Sequence, residues 1–321
     1  MLDAAARRGV DADALLAEVG VEKELLDDPD ARLPEQSVKQ LWGRAYEASG
    51  DPDLALHAAE ILPIGAYRVI DFMAWHAPTV GDAFAEVSRY FAIISTAVKL
   101  PVTESAATMD VTIDPADGSG TLTRPYVEYV LAAMFLRIRE ATGIPFPLAS
   151  VEFAFPEPPS IAEHERIFAC EVRFGAQADR LRIPREAWAS RNTRAQPELF
   201  GVLLEHARTL QAKVPHEPEE LARVREAIAD ALRSGEPSLS HIAKQLAMSP
   251  RTLQRRLGEH ELRFADLLDT TREGLARSYL NDRKISMAEV AYLLGYSEQS
   301  AFNRAFKRWT GVSPTQFRSG L

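Results

Sequence analysis

The C-terminal third of the chain repeats apolar residues at helical spacing with few interruptions. Apolar positions three or four residues apart are typical of amphipathic helices. The pattern recurs in six stretches, which begin at Leu221, Leu239, Pro250, Phe264, Ser286 and Glu298. It therefore predicts an all-helical region of six or seven short helices between residues 220 and 321.

The preceding part of the chain has a mixed pattern. Helical spacing covers residues 2–19, 34–49 and 80–96. Met109, Val111 and Ile113 instead alternate with polar residues, as in a half-buried strand, and residues 114–120 have the composition of a turn, which predicts a hairpin. Similar alternation appears in residues 150–158, 171–174 and 180–184. The pattern predicts an α+β domain with a modest sheet.

The boundary between these two regions is predicted in the stretch "KVPHEPEE". Its two prolines and clustered charges cannot sustain a helix or a strand. We therefore expect an N-terminal domain over residues 1–212, a linker over residues 213–219 and a C-terminal domain over residues 220–321.

The helical region contains an internal repeat. Each copy has an apolar residue followed by alanine, a leucine three positions later, a turn, a serine, and a helix with two apolar residues spaced by four. The matching positions are Ile242-Ala243 and Val290-Ala291, Leu246 and Leu294, and the pairs Leu253/Leu257 and Phe302/Phe306. Small alanines allow close approach of two helices, so each copy is predicted to form a helix-turn-helix.

Helix-start signals support this interpretation. Ser249 and Ser297 are placed to cap the second helix of each copy, and Pro250 suits the first helical position. Ser286 with Glu289 matches a capping box at the start of the second copy.

The outward faces of the two second helices carry the side chains that read base edges. If the apolar pairs point inward, the first helix exposes Arg251, Gln254 and Arg255, and the second exposes Gln299, Ser300, Asn303 and Arg304. Arginine pairs with guanine and glutamine with adenine in the major groove. Lys307 and Arg308, at the end of the second helix, are better placed for phosphates. The alternative is a helical bundle with a solvated charged face.

The segment between the two copies has a suitable length for a double reader. A helix from Phe264 to Leu280 would span ~25 Å at 1.5 Å per residue. That length is enough to hold two recognition helices near the ~34 Å that separates successive major grooves.

Charge is unevenly distributed along the chain. The net charge is -9, but from His216 onward there are 16 Lys and Arg against 14 Asp and Glu, whereas the preceding residues have 21 against 32. An acidic body joined to a module that meets phosphates is consistent with this asymmetry. The single cysteine, Cys170, excludes an internal disulfide and a cysteine-based zinc site, and it fits a cytoplasmic protein. We expect no membrane segment.

Catalytic motifs are absent from the sequence, and no cofactor or metal is predicted. The chain has no phosphate-binding glycine loop, no HExxH and no G-x-S-x-G. The turn around His164 favours a solvated helix rather than a metal or acid/base site. A run of aromatic residues suggests an apolar ligand pocket, with ordinary core packing as the alternative; its candidate ligand contacts are Phe72, Trp75, His76 and Tyr90.

The stretch from Ile285 to Arg318 resembles the signature of the AraC/XylS transcription regulators, including Gly295, Phe302, Phe306 and Pro314. That resemblance implies a double helix-turn-helix domain that binds double-stranded DNA. By position, it places the base contacts of that domain on the seven outward side chains already named, from Arg251 to Arg304.

The N-terminal half is similar, in "VEFAFPEPP" and "FACEVRFGAQADRLRIP" among other stretches, to the arabinose-binding-type domain of one branch of that family. This implies a small-molecule effector, with RNA polymerase and a second copy of the chain as further partners. Two other hypotheses are a constitutive DNA-binding protein whose front domain only dimerises, and an enzyme with a DNA-localising tail.

Overall fold

A computed structural model of the chain describes residues 1–26, 31–116, 122–214, 219–234, 237–260, 262–281, 285–310 and 313–319. Contacts divide the chain into two compact units: Met1–Asp114 with Leu122–Val214, and Pro215–Leu321 with the short segment Pro115–Thr121. Within the predicted linker, residues 215–218 lie outside the described residues, and Glu219 already begins a helix.

The N-terminal unit combines ten α-helices and seven short strands over its described residues. The helices are α1 (Leu2–Arg7), α2 (Ala12–Val19), α3 (Glu35–Ser49), α4 (Leu54–Glu60), α5 (Val69–His76), α6 (Val80–Tyr90), α7 (Arg124–Thr142), α8 (Ala162–Phe168), α9 (Arg185–Trp188) and α10 (Pro197–Gln211). The strands are β1 (Val98–Lys99), β2 (Val102–Glu104), β3 (Thr108–Thr112), β4 (Asp114–Pro115), β5 (Ser150–Glu152), β6 (Glu171–Arg173) and β7 (Arg180–Pro184). Two 3-10 helices cover Lys23–Leu26 and Phe91–Ile93.

Five of these strands form one sheet in the order β2-β3-β7-β5-β6. Only the β5–β6 pair within it is parallel. Val111, Leu181 and Ile183 are fully buried and belong to the same core as Phe135 of α7. The predicted alternation therefore places the apolar face of the sheet against the helices, as expected for an α+β domain.

Three local expectations differ from the structure. The helical spacing of residues 2–19 is split into α1 and α2, because the Asp11 carboxylate accepts from the backbone of Asp13 and Ala14 and starts a new helix. The helix over residues 80–96 ends at Tyr90. The hairpin predicted across residues 114–120 is wrong: β4 lies at the start of this stretch and pairs with β1, the next described element after it is α7, and β3 pairs with the preceding β2 and with β7. Residues 117–120 of the predicted turn lie outside the described residues.

His164 is not on a solvated helix turn. Its side chain is fully buried, and its Nε2 lies 2.7 Å from Oε1 of Glu128, which is also fully buried. The Glu128 carboxylate also accepts from Nε of Arg124 at 2.7 Å. A buried charge is stable only when it is paired and hydrogen-bonded. This pairing joins α7 to α8 inside the core.

From Glu219 onward, every element of secondary structure among the described residues of the C-terminal unit is a helix, as predicted. Its helices are α11 (Glu219–Ser234), α12 (Leu239–Gln245), α13 (Pro250–Glu259), α14 (Phe264–Asn281), α15 (Met287–Leu293), α16 (Gln299–Thr310) and α17 (Pro314–Ser319). A separate core contains the repeated positions Ile242, Leu253, Val290 and Phe302, all fully buried. The apolar face read from the sequence is therefore the face that packs. Among the described residues of both units, every helix is too short or too polar to cross a membrane.

Candidate DNA-binding surface and effector cavity

The two turns of the repeated unit have the same hydrogen-bond pattern. In the first, the Met248 amide donates to the Ala243 carbonyl at 2.8 Å; in the second, the Tyr296 amide donates to the Ala291 carbonyl at 3.0 Å. The residue before each donor is left-handed: Ala247 has φ 53° and Gly295 has φ 73°. This is the geometry with which a helix often ends before a sharp change of direction. The sequence repeat is thus a structural repeat, α12–α13 and α15–α16.

The helix starts follow the predicted signals at most positions. Ser249 Oγ accepts from the Thr252 amide at 3.1 Å, and Pro250 is the first residue of α13. Ser286 and Glu289 form the predicted capping box. Ser297 differs from expectation. Helix α16 begins at Gln299, so Glu298 is the residue directly before the helix, and Ser297 lies one position earlier.

In the first copy of the repeat, the second helix is α13. This helix has one apolar face and one polar face. Leu253 and Leu257 are buried, whereas Arg251, Gln254 and Arg255 are exposed. The Arg255 guanidinium forms an ion pair with Glu259 on the same helix. Exposed pairs of this kind contribute little to stability. Arg255 can therefore exchange this carboxylate for another hydrogen-bond acceptor at small cost.

The corresponding helix of the second unit, α16, follows the same division. Phe302 and Phe306 are fully buried. The polar candidates on this helix are Gln299, Ser300, Arg304, Lys307 and Arg308, which are exposed, and Asn303, which is half-buried. Nη2 of Arg308 lies 2.8 Å from Oδ2 of Asp269 on α14, so this arginine is tied to the connecting helix.

The connecting helix α14 also holds the second turn directly. The Arg272 Nε donates to the Leu294 carbonyl at 3.0 Å, and the Arg272 guanidinium stacks 4.7 Å from the centre of the Tyr296 ring. The carbonyl of Leu294 is one of those that a helix end leaves without an intrahelical partner. Its contact with Arg272 couples the orientation of the second unit to α14.

The N-terminal unit contains a cavity of ≈ 690 Å³. Its wall is built from five separated parts of the chain: residues 31–42, 66–74, 87–97, 122–138 and 210–214. Trp42, Phe91 and Tyr126 are among its aromatic lining residues. A cavity of this size and apolar character is suited to a small molecule.

The four residues predicted as ligand contacts are not among those that line this cavity. Phe72 is 46% exposed, whereas Tyr90 is only 2% exposed and lies in the core. Trp75 lies under the Arg194 guanidinium, 4.7 Å from it, and His76 is half-buried at the end of α5. Helical geometry explains their position. Tyr67, Ile70, Asp71 and Ala74 recur at three- and four-residue spacing on the cavity side of this segment, and Phe72, Trp75 and His76 fall on another side.

One wall of the cavity carries a buried polar group. The Arg137 guanidinium forms a two-point ion pair with the Asp71 carboxylate and also donates to the Leu62 carbonyl at 2.9 Å. Beside it, the hydroxyls of Tyr67 and Tyr129 are 2.6 Å apart, and burial raises the pKa of both above the usual range. These tyrosines remain neutral, and the ion pair is internally compensated.

The end of α10 and the residues after it form another part of the wall. Leu210, Lys213 and Val214 all line the cavity. Gln211 Nε2 donates to the Arg89 carbonyl at 3.0 Å, which holds the helix end against α6. Val214 is the last described residue before residues 215–218, so the wall includes the segment that leads to the C-terminal unit.

Family models match both units. Residues 9–192 match the arabinose-binding domain of AraC transcription regulators, and residues 242–320 match a helix-turn-helix domain. The chain belongs to the AraC family of DNA-binding transcription regulators. Its relatives carry names of regulators rather than of enzymes.

Curated relatives are similar over nearly the whole chain. The ornithine utilization regulator of Pseudomonas aeruginosa is 26% identical, with 99% of this chain and 94% of the relative covered. The HTH-type transcriptional regulator VirS of Mycobacterium tuberculosis is 30% identical, with 91% and 87% covered. Among solved structures, the transcriptional regulator CdpR from Pseudomonas aeruginosa matches 96% of both chains at 24% identity and a TM-score of 0.43.

Proposed function

We propose that the N-terminal unit binds a small-molecule effector in its cavity, and that occupancy sets the affinity of the C-terminal unit for its DNA sites. The cytoplasm is the proposed compartment, and RNA polymerase and a second copy of the chain are proposed partners. The observation that supports effector control is the cavity wall itself. Lys213 and Val214 contribute to it and immediately precede the boundary between the units.

The mechanism follows from differential binding. A ligand shifts an equilibrium between two arrangements only if it binds one of them more tightly. A ligand in this cavity contacts Leu210 and Val214 only while the end of α10 is docked on the wall. The ligand therefore favours the docked state of the end of α10. The C-terminal unit is tethered to this segment, so docking is coupled to DNA binding.

On the DNA side, the proposed base readers are Arg251, Gln254 and Arg255 on α13, with Gln299, Ser300, Asn303 and Arg304 on α16. Lys307 and Arg308 are proposed phosphate contacts. Support comes from their exposure opposite the buried pairs of each helix. A helix of this kind fits the major groove, and the two copies provide two readers in one chain.

A second candidate is a constitutive DNA-binding protein whose N-terminal unit only dimerises. Helix α10 favours it, because Leu199 and Val202 on that helix are 39% and 64% exposed. Exposed apolar residues on one helix are suited to association with a second copy. Under this alternative, DNA affinity is independent of any small molecule.

The test combines site selection with a blocked cavity. Full-length protein selects sites from a random duplex library at a stated salt concentration, and the affinity for the recovered site is then measured with and without fractionated cell metabolites. We expect a motif with two elements about one helical turn apart, and a metabolite fraction that changes affinity.

Two variants in which leucine replaces an alanine distinguish effector control from constitutive DNA binding. Ala133→Leu fills space in the cavity wall and should abolish the metabolite response, whereas Ala162→Leu, at an exposed position of α8, should retain it. A response that survives in Ala133→Leu places the effector elsewhere. Affinity that no fraction changes in the unmodified protein favours the constitutive candidate.

A further inference from the structure

We infer that the cavity ligand is an amphipathic organic anion, with an apolar body and one acidic group. This inference rests on the proposed role of the cavity as the effector site. It specifies the chemical class that the wall accepts.

The apolar body is required by the composition of the wall. Twenty of the 32 lining residues have aliphatic, Phe, Trp or Met side chains. Val69, Ile70, Val130 and Met134 among them are buried and belong to the main core, so the cavity reaches into the interior. Apolar ligand surface is stabilised in such a site because it is removed from water.

A polyhydroxylated ligand fits this wall poorly. The Tyr67 and Tyr129 hydroxyls are 2.6 Å apart, and Ser95 Oγ and the Tyr126 hydroxyl are 2.7 Å apart. These lining hydroxyls therefore hydrogen-bond to one another. Each pair commits one of its two O–H donors to its partner, so the pairs offer a sugar fewer donors than separate hydroxyls would, and each buried sugar hydroxyl left unsatisfied is costly.

The charge of the wall selects an acid over a base. Asp71 is the one carboxylate among the described lining residues, and Arg137 compensates it through two hydrogen bonds. The other charged lining residues are Arg32, Lys39, Arg68 and Lys213, which are all positive and exposed. Lys39 and Arg68 have further interaction partners, so the attraction for a ligand is assigned to Arg32 and Lys213. A cationic head group would be repelled there, whereas an anionic group gains Coulomb energy.

Two of these cations are held near the same turn. Arg32 Nη2 donates to the carbonyls of Ala92 and Ile93, at 3.3 and 2.9 Å. Those bonds are to neutral oxygens, so they orient the guanidinium without compensating its charge. Gln211 Nε2 donates to the Arg89 carbonyl, which brings the end of α10, and with it Lys213, to the start of the same segment. The acidic group of the ligand is therefore placed beside residues 89–93.

The test uses three probes with one apolar chain and different head groups: decanoate, 1-decanol and decyltrimethylammonium, each below its micelle concentration. Binding to the full-length protein is followed by the emission of Trp42, which lines the cavity, and by the melting temperature. We expect decanoate to bind at least about tenfold more tightly than decanol, with the cation weakest.

Charge variants locate the head group. Lys213→Gln and Arg32→Gln should each weaken decanoate severalfold and leave decanol unchanged. Arg44→Gln, an exposed position on α3 that does not line the cavity, serves as the matched control and should bind all three probes normally.

Two results overturn the inference. Equal binding of decanol and decanoate, or tighter binding of the cation, shows that the cavity takes apolar ligands without selecting an acid. Failure of all three probes shows that the class is wrong. Either result leaves the effector role to be judged by the Ala133→Leu metabolite response, which does not depend on these probes.

Discussion

The two helix-turn-helix units share a backbone plan but differ in what fills it. The turns have the same hydrogen-bond pattern and the same left-handed position, at Ala247 and Gly295. Between the helices, however, the first unit packs aliphatic Leu253 and Leu257, and the second packs aromatic Phe302 and Phe306. The difference shows that the turn and the spacing of the buried pair define the motif, whereas the identity of the core residues does not.

The outward faces differ as well. The first unit exposes Arg251, Gln254 and Arg255, which are long side chains that can form two hydrogen bonds with one base. The second presents Ser300, a half-buried Asn303 and an exposed Arg304 at the matching places, so two of its three side chains are shorter. We infer that the first unit carries more of the sequence discrimination, and the second more of the rigid attachment to α14.

The largest expected effect is on the stability of the C-terminal unit, when a side chain buried in its core is truncated. Phe302→Ala should destabilise the C-terminal unit by about 3–5 kcal/mol, because the ring is fully buried and lies 5.7 Å from Phe306 and 6.0 Å from Tyr296. Leu253→Ala should cost about 2–5 kcal/mol. Hydrogen exchange measured separately for α12–α13 and α15–α16 assigns the loss to a unit.

Tyr292→Ala provides the control for these truncations. The side chain is 79% exposed on α15, so its removal should change stability by less than about 0.5 kcal/mol. If Phe302→Ala reduced the protection of amides from hydrogen exchange equally in α12–α13 and α15–α16, the two helix-turn-helix copies would form one cooperative core. Their stabilities would then not differ.

The next largest effect is on DNA recognition. Arg251→Ala and Arg255→Ala should each cost about 1–3 kcal/mol at the selected site and relax the choice of base at one position. Ser300→Ala should have a smaller effect, because a hydroxyl provides one short contact. Competition binding against duplexes mutated at each position measures both the affinity and the specificity.

Lys307→Ala distinguishes positioning from reading in the same assay. It should weaken all duplexes similarly and reduce the slope of affinity against salt concentration by about one ion. Unchanged base preference in both arginine variants would contradict the assignment of α13 as the main reader.

The turns offer a smaller and oppositely signed pair of effects. Gly295→Ala should destabilise the second unit by about 1 kcal/mol, since a side chain is strained at φ 73°. Space is not the limit, because the nearest atom to an added Cβ, Pro237 Cγ, is 3.5 Å away. Ala247→Gly relieves the same strain in the first unit and should stabilise it by a few tenths of a kcal/mol or more. Thermal unfolding of both variants gives the signs; the same sign in both would show that the turns are not equivalent.

A structural feature can be predicted from the sequence when the residues that contact one another lie close together along the chain. The helix-turn-helix units were predictable because Ile242, Leu246, Leu253 and Leu257 lie within one short stretch, and local spacing determines which side of a helix they occupy. The strand at Met109 was readable for the same reason. The hairpin predicted after this strand is wrong, because turn composition alone does not show which strands β3 pairs with.

The cavity was not readable from local spacing. Its wall brings Arg32, Tyr67, Ile93, Tyr126 and Lys213 together from five separated segments, and no local pattern encodes that meeting. The aromatic run at Phe72 suggested a pocket because its residues are close in sequence, but neighbouring positions on a helix point to different sides. The burial of His164 is not predictable from its neighbours for the same reason, because its partner Glu128 lies 36 residues earlier in the chain.

The smallest expected effect concerns the capping box, which only the second of the two repeated units is shown to have. At α15 the Glu289 carboxylate accepts from the Ser286 amide at 2.7 Å, and this hydrogen bond lowers the pKa of Glu289 below its ordinary value of 4.5. Because the folded pKa is the lower one, the stabilisation is complete above about pH 4.5 and is lost as pH falls through the lowered value. The matching position in α12 is His241, which offers no carboxylate there. Amide exchange in the first turn of α15 should therefore quicken on acidification, whereas in Glu289→Gln, which keeps the cap without a titratable group, it should depend less on pH. An identical pH response in that variant would assign the effect to other carboxylates of the unit.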